Sequence, residues 1–343
     1  MWFRSYLSGR TMRVKVDGLY SEEVVIKFGV PQGSVLGPIL FTLYTFPLSR
    51  IMHLSNQNFH LYADDEQLYK NFKPGNINYE VNQTETCILS IKEWMTENYL
   101  KFNEPKSEFL ILSKPSQLNK INKPVLKLNG AEVVAKQEVK NLGVIFDEHL
   151  NLSSHVSLLC QRMFLEIRNI SLHRKYLTDE VVCQLMVSLV LSKMDYCNSL
   201  LSGLPQILIN KLQRVQNCAA KVCLKKRKYD HATPLLKSLH WLPVSQRIEY
   251  KIATLCHKHF LGSLPSYLSC LLKQPKNNRA LRSSNDPKIL VKPMKKLKTY
   301  GERSFEFCAP LIWNSLPREI RQIETHAAFK RSLKTHLFIK AFE

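Results

Sequence analysis

The sequence contains no Cys-x-x-Cys pair, although nine cysteines are spread along its 343 residues. That excludes zinc sites built on paired cysteines, and the spacing of Cys218, Cys223, His231 and His240 matches no finger or knuckle. His257 and His259, two residues apart, would face different sides of a helix and share no ligand. Cys87, Cys183 and Cys223 fall on apolar helix faces, which is where reduced thiols of an intracellular protein belong. Long apolar runs are missing too. The longest, Val181 to Leu191, is too short to span a bilayer and contains Gln184 and Ser188. Arg4 and Arg10 interrupt any hydrophobic start, so no signal peptide is expected. These gaps predict a soluble, intracellular protein with no membrane partner.

Acidic residues are scarce in one part of the chain only. Residues 1–150 carry 17 Lys/Arg against 16 Asp/Glu, whereas residues 151–343 carry 32 against 12. Nearly all of the net charge of +21 therefore lies in the later residues. A polyanion is the natural partner of such a segment, and nucleic acid is the commonest polyanion. With 45% hydrophobic and 22% charged residues the composition is otherwise that of a globular chain, long enough for two or three domains.

The most distinctive stretch is Phe59-His60-Leu61-Tyr62-Ala63-Asp64-Asp65-Glu66-Gln67-Leu68-Tyr69. Its apolar and aromatic residues predict two short strands around an acidic turn. Adjacent carboxylates repel each other, so nothing in stability favours them there. A divalent cation would neutralise them, and Mg²⁺ prefers carboxylate oxygens shared with phosphates. Upstream, Gly29-Val30-Pro31-Gln32-Gly33-Ser34-Val35-Leu36-Gly37-Pro38 describes a fixed, close-approach loop leading into an apolar helix.

In this order and spacing, the two motifs resemble those of the reverse transcriptases of non-LTR (LINE-type, jockey-like) retrotransposons. The resemblance implies an α+β fold: a partial polymerase palm, an antiparallel sheet with helices, over residues 1–150. A helical thumb-like bundle over 151–272 and a basic linker and helical tail over 273–343 would follow. It also implies RNA-directed DNA polymerisation, with an RNA template, a DNA primer, dNTPs and Mg²⁺ or Mn²⁺. Two metal ions would stabilise the attacking and leaving oxygens. Asp64 and Asp65 would be the metal ligands, and Pro31, Gln32, Gly33 and Ser34 would shape the nucleotide and template pocket. Lys106 matches the lysine near the leaving pyrophosphate, with Lys101 as the alternative. Val139 to Asp147 resembles a primer-grip strand, with Leu142 and Gly143 at its centre, although Asn141 stands where the family more often has an aromatic residue.

Elsewhere the reading is local. Thr11 to Val16 and Val24 to Phe28 read as paired strands around Asp17-Gly18, and Val125 to Val134 as a hairpin around Asn129-Gly130. Ile39 to Ile51 reads as one helix. Thr84 is expected to open another, with Ile88, Ile91, Trp94 and Met95 as its buried stripe. Thr178 caps a helix that is apolar nearly all round. Leu208, Leu212, Val215, Ala219 and Val222 mark a helix after Pro205, and Lys211, Arg214, Lys221, Lys225, Lys226, Arg227 and Lys228 lie off its stripe as candidate phosphate-backbone contacts. A third helix turns Ile248, Ile252, Leu255 and His259 inward. Residues 273–298 read as a linker with little core, and Phe329, Leu333, Leu337 and Phe338 as a final amphipathic helix.

One element of the family pattern does not occur. None of the 28 residues before Gly29 reproduces the family's Asp-x-x-x-Ala-Phe-Asp strand. Asp17 sits in a turn, and Glu22 and Glu23 precede a strand. The expectation is thus a truncated fragment, catalytically inactive as it stands; the alternative is a non-catalytic remnant that binds nucleic acid through its basic residues.

Overall fold

The computed structural model describes residues 2–31, 33–121, 124–128, 130–275, 288–294 and 300–343. Gln32, Asn129 and most of the expected linker lie outside them. The fold is mixed α+β with small, mostly antiparallel sheets, and it divides into two compact units, Met1–Gln137 and Glu138–Glu343.

The first unit opens with α1 (Trp2–Leu7) and a nested pair of hairpins. Strand β1 (Arg10–Met12) pairs with β4 (Val24–Ile26), and β2 (Lys15–Val16) with β3 (Leu19–Tyr20). Asp17 and Gly18 both take positive φ, 49° and 84°, as a two-residue turn between twisted strands requires. None of the residues in these five elements is buried. The expected helix over 39–51 is two helices instead, α2 (Gly37–Thr45) and α3 (Pro47–Leu54). Pro47 cannot donate a backbone hydrogen bond to the preceding turn, so the chain restarts there.

After β5 (Asn58–Tyr62) and β6 (Asp65–Tyr69) comes the spine of this unit, α4 (Ile77–Glu97). It begins seven residues before the expected start at Thr84. Pro74-Gly75-Asn76 supplies the turn that sets its first residues, and Thr84, inside the helix, donates its hydroxyl to the Glu80 carbonyl at 2.9 Å. At roughly 1.5 Å per residue, α4 is long enough to serve two separate cores. Its first turns bury Ile77 and Val81 with Ile111, Leu126 and Leu128, and with Leu118 of α5 (Pro115–Leu118). Its later turns bury Cys87 and Ile91 against Leu48 and Met52 of α3, with Trp94 and Met95 partly covered. The sheet on the first core orders β7 (Phe109–Leu110), β9 (Ala131–Lys136) and β8 (Val125–Leu128), with β9 central.

The second unit starts with a correction. Residues 138–147 form a hairpin rather than one strand, β10 (Glu138–Asn141) and β11 (Val144–Asp147), turning at Leu142 and Gly143. Both turn residues take positive φ, 43° and 85°. The hairpin packs on α6 (Ser153–His173): Val144 and Phe146 join the helical core. Asp147 is buried and accepts from the backbone amides of His149, Asn151 and Leu152, which fixes the entry to α6. Thr178 caps α7 (Asp179–Leu185) by accepting from the Val181 amide, and that helix continues through a wide turn, Met186–Leu191, into α8 (Ser192–Asp195). It is not enclosed on all sides, because Val181, Val187 and Leu189 stay exposed.

Helix α9 (Gln206–Cys223) buries Leu208, Leu212, Val215 and Ala219 as the stripe predicts, and α10 (Ala232–Ser238) covers one side of it. In α11 (Val244–Phe260) the inward histidine is His257, fully buried, while His259 is half-exposed and bonds Ser269 of α12 (Ser266–Ser269). His257 Nε2 lies 2.8 Å from the Ile323 carbonyl, and its ring stacks on Phe329. Helices α13 (Phe305–Asn314), α14 (Arg318–Arg321) and α15 (His326–Phe342) close the core with Trp313, Phe329, Leu333 and Leu337. The described part of the expected linker does carry core. Leu290 is buried, Trp313 Nε1 donates to the Lys288 carbonyl at 2.6 Å, and Asn314 exchanges two hydrogen bonds with the Leu290 backbone.

Trp313 thus fills the second core and ties residue 288 to it. Trp313→Ala is expected to destabilise this unit by about 3–5 kcal/mol, read as a lower urea midpoint at unchanged slope. A midpoint within error of wild type would contradict the packing described.

Candidate functional site

The acidic hairpin is built by the alternation of a two-stranded ribbon. Its register pairs Asn58 with Tyr69, His60 with Gln67 and Tyr62 with Asp65 on one face, and Phe59 with Leu68 and Leu61 with Glu66 on the other. Phe59 and Leu68 pack on the α3/α4 core, so the first face is left to solvent. There the His60 and Tyr69 rings stack at 5.2 Å. Ala63 takes a φ of 54° at the first position of the two-residue turn, and Asp64 takes the second.

The three carboxylates therefore separate. Asp64 and Asp65 are exposed, and neither side chain makes an ion pair or hydrogen bond among the described residues. Glu66 turns inward opposite Leu61, where burial pushes its carboxyl up to about 7. Its charge in turn helps hold the Cys87 thiol up, although burial of Cys87 is the larger cause. Sequence reading passed over Glu66, yet counting by twos from Leu68 places it on the covered face.

Among the described residues no three His, Cys, Asp or Glu side chains stand together as a metal site. Two magnesium ions bridged by carboxylates need more oxygen ligands than Asp64 and Asp65 supply. The described residues at the hairpin do not fit a two-ion centre.

The loop before α2 is fixed by its own hydrogen bonds. Gly29 and Gly33 take φ of 77° and 81°, values an L side chain resists. The Ser34 hydroxyl accepts from Tyr6 at 2.7 Å and from the Gly37 amide at 3.1 Å. The Gly29 carbonyl accepts from Arg10 at 2.5 Å. Pro31 and Gly33 are exposed; Gln32 falls outside the described residues. Lys106 is exposed in the short turn Glu104–Lys106 that follows α4, and Lys101 is exposed as well.

In the second unit, Leu142 and Gly143 form the hairpin tip, where Tyr196 donates to the Leu142 carbonyl at 2.7 Å. Of the candidate cations, Lys211 and Arg214 stand exposed on α9. Lys226, Arg227 and Lys228 are exposed in the loop beyond it. Two are engaged internally: Lys221 donates to the Lys228 carbonyl at 2.5 Å, and Lys225 pairs with Asp179 at 3.1 Å. Arg174, which belongs to no sequence motif, ties this end of the bundle together. Its guanidinium donates to the carbonyls of Val222, Cys223 and Leu177 and to the Asp179 carboxylate. Asp179 is held below the usual carboxylate range by Arg174 first and Lys225 second. No helix among the described residues is long and apolar enough to cross a membrane.

Because Glu66 holds its proton up to about 7 in the fold, against about 4.5 when unfolded, the folded state binds more protons between those values. Stability of the first unit is expected to fall as pH rises from about 4.5 to about 7 and to level off above. In Glu66→Gln that part of the slope should vanish in urea titrations across this range. An unchanged slope would remove the inward placement of Glu66.

Residues 1–146 match the family model described as reverse transcriptase (RNA-dependent DNA polymerase). The chain is 28% identical over 166 residues to a probable RNA-directed DNA polymerase from transposon BS of Drosophila melanogaster, covering 47% of this chain and 18% of that protein. It is 25% identical over 173 residues to the RNA-directed DNA polymerase from mobile element jockey of Drosophila melanogaster, covering 49% and 18%. The corresponding polymerase from transposon X-element is 26% identical over 162 residues, covering 47% and 17%. The chain thus spans less than a fifth of the length of these relatives. No solved structure matches it. With the acidic hairpin and the glycine-rich loop, these matches make residues 1–146 similar to the reverse transcriptase domains of non-LTR, jockey-like retrotransposons.

Proposed function

We propose that these 343 residues bind nucleic acid as the remnant of a retrotransposon polymerase, and that by themselves they do not extend a primer. In this reading residues 1–150 keep a partial palm, 151–272 a thumb-like bundle whose cations follow a phosphate backbone, and 273–343 a basic tail. RNA template, DNA primer and dNTPs are the partners that the relatives' named activity implies. The observation that carries the reading is the acidic hairpin itself. It presents two exposed carboxylates, and the third, Glu66, lies partly buried on the covered face, where burial pushes its carboxyl up to about 7.

Primer extension joins a 3′-hydroxyl to the α-phosphorus of a nucleotide and needs negative charge neutralised on both the attacking and the leaving oxygen. Asp64 and Asp65 offer ligand oxygens to Mg²⁺ or Mn²⁺, but as sequence neighbours at one turn they cannot also supply the ligands of a second strand. Lys106, Pro31, Gln32, Gly33 and Ser34 would then bear on nucleotide or template only if a further carboxylate were brought to the hairpin. Binding needs none of this. It needs exposed cations without acidic partners, and among the described residues Lys211, Arg214, Lys226, Arg227 and Lys228 meet that condition.

Two measurements test the reading. Primer extension on an RNA template with Mg²⁺ or Mn²⁺ is expected to show no incorporation by wild type or Asp64→Asn; incorporation that Asp64→Asn abolishes would make the chain an active polymerase. RNA affinity is expected to fall with salt at a log–log slope of about −3, from roughly −0.7 per neutralised phosphate on a single strand. A flat slope would remove the polyanion argument.

A further inference from the structure

We propose that the end of the second unit where α6 and α9 finish is a binding site for single-stranded nucleic acid, with Tyr176 and Tyr229 as base-stacking platforms. The site rests on the nucleic-acid reading above and adds the form of the ligand and the residues that would choose it.

Two segments meet there, residues 174–179 after α6 and residues 221–230, which begin in the last turn of α9. Arg174 joins them, since its guanidinium spans Val222 and Cys223 on one side and Leu177 and Asp179 on the other. Lys225 adds a second link through Asp179. The backbone beneath the surface is thus tied by partly buried and charged hydrogen bonds.

What stands on it is aromatic and cationic. Tyr176 is 75% exposed and Tyr229 88% exposed, so neither ring contributes to the core. Each carries a lysine beside it: Lys175 Nζ lies 4.8 Å from the Tyr176 ring centroid and Lys228 Nζ 5.8 Å from that of Tyr229. Lys226 and Arg227 complete the exposed charge. The acids at this end are spoken for or peripheral: Asp179 is paired twice, Asp230 accepts from the Arg227 amide, and Glu180 follows Asp179 into α7.

Leaving two tyrosine rings in water has no folding benefit, because exposed aromatic surface is neither buried nor packed. A stacked base covers such a ring, and a neighbouring ammonium can hold the adjoining phosphate. Bases in a duplex are already stacked on each other and show only their edges, so two separate rings favour an unpaired strand. The alternation of Lys-Tyr at one segment and Lys-Arg-Lys-Tyr at the other is therefore a stacking surface framed by phosphate contacts.

The test uses the whole chain, a fluorescent single-stranded RNA of about a dozen nucleotides, and a blunt duplex of the same sequence. Wild type should bind the single strand more tightly than the duplex. Tyr176→Ala and Tyr229→Ala should each weaken single-strand binding about tenfold, with the salt slope unchanged, because stacking releases no counterions. Tyr176→Phe and Tyr229→Phe should bind as wild type. Lys226→Ala with Lys228→Ala should instead lower the slope. Alanine variants that bind as wild type, or a preference for the duplex, would overturn the site while leaving the nucleic-acid reading intact. No binding of either oligonucleotide by folded wild type would overturn both.

Discussion

The first unit depends on the burial of one helix. Helix α4 buries Ile77 and Val81 near its start and Cys87 and Ile91 further along its 21 residues, and such apolar surface is stable only when covered. One end is covered by the three-stranded sheet and the other by α3 and the inner face of the acidic hairpin. The hairpin's orientation follows. Phe59 and Leu68 must face α3 and α4, so period-two alternation sends Asp65 to solvent and carries Glu66 inward. A slip of β6 by one residue would expose Leu68 and bury Asp65. The chemical character of the hairpin is thus a by-product of covering α4.

The second unit is organised differently. One continuous core runs from Val144 to Leu337, and at the end of α9 a polar side chain takes up the last carbonyls. Arg174 does this for α9, and the same guanidinium gathers the segment before α7. Helix termini held this way leave short, rigid stretches of backbone at the surface. Those stretches carry Lys175, Tyr176 and the run from Lys225 to Tyr229. The basic excess of residues 151–343 is therefore not an even coating: part of it is fixed in place, and part, as with Lys221 and Lys225, is consumed internally.

Much of this was legible in the sequence because it is local. The Asp17-Gly18 turn, the strands about Asp64, the Thr178 cap and the stripe of α9 each follow from neighbours within a few residues. The errors were also local rules that met a stronger competitor. Pro47 divided an apolar run that read as one helix, and Pro74-Gly75-Asn76 started α4 ahead of a plausible cap at Thr84. Leu142 accepted a positive φ that an apolar residue disfavours, which turned an expected strand into a hairpin.

The sequence by itself determined the family motifs, the elements and the division of charge, since order, spacing and composition are properties of the chain alone. Tertiary structure alone decided which groups are free to act. Glu66 has a raised carboxyl pKa because the covered face of the hairpin partly buries it, not because of its neighbours in sequence. His257 rather than His259 is buried because α13 and α15 close over that face of α11. Lys225 is paired, and Lys226 has no acidic partner among the described residues, because Asp179, 46 positions before Lys225, reaches only one of them. Burial and ion pairing depend on distances between residues remote in sequence, and only the packed chain sets those distances.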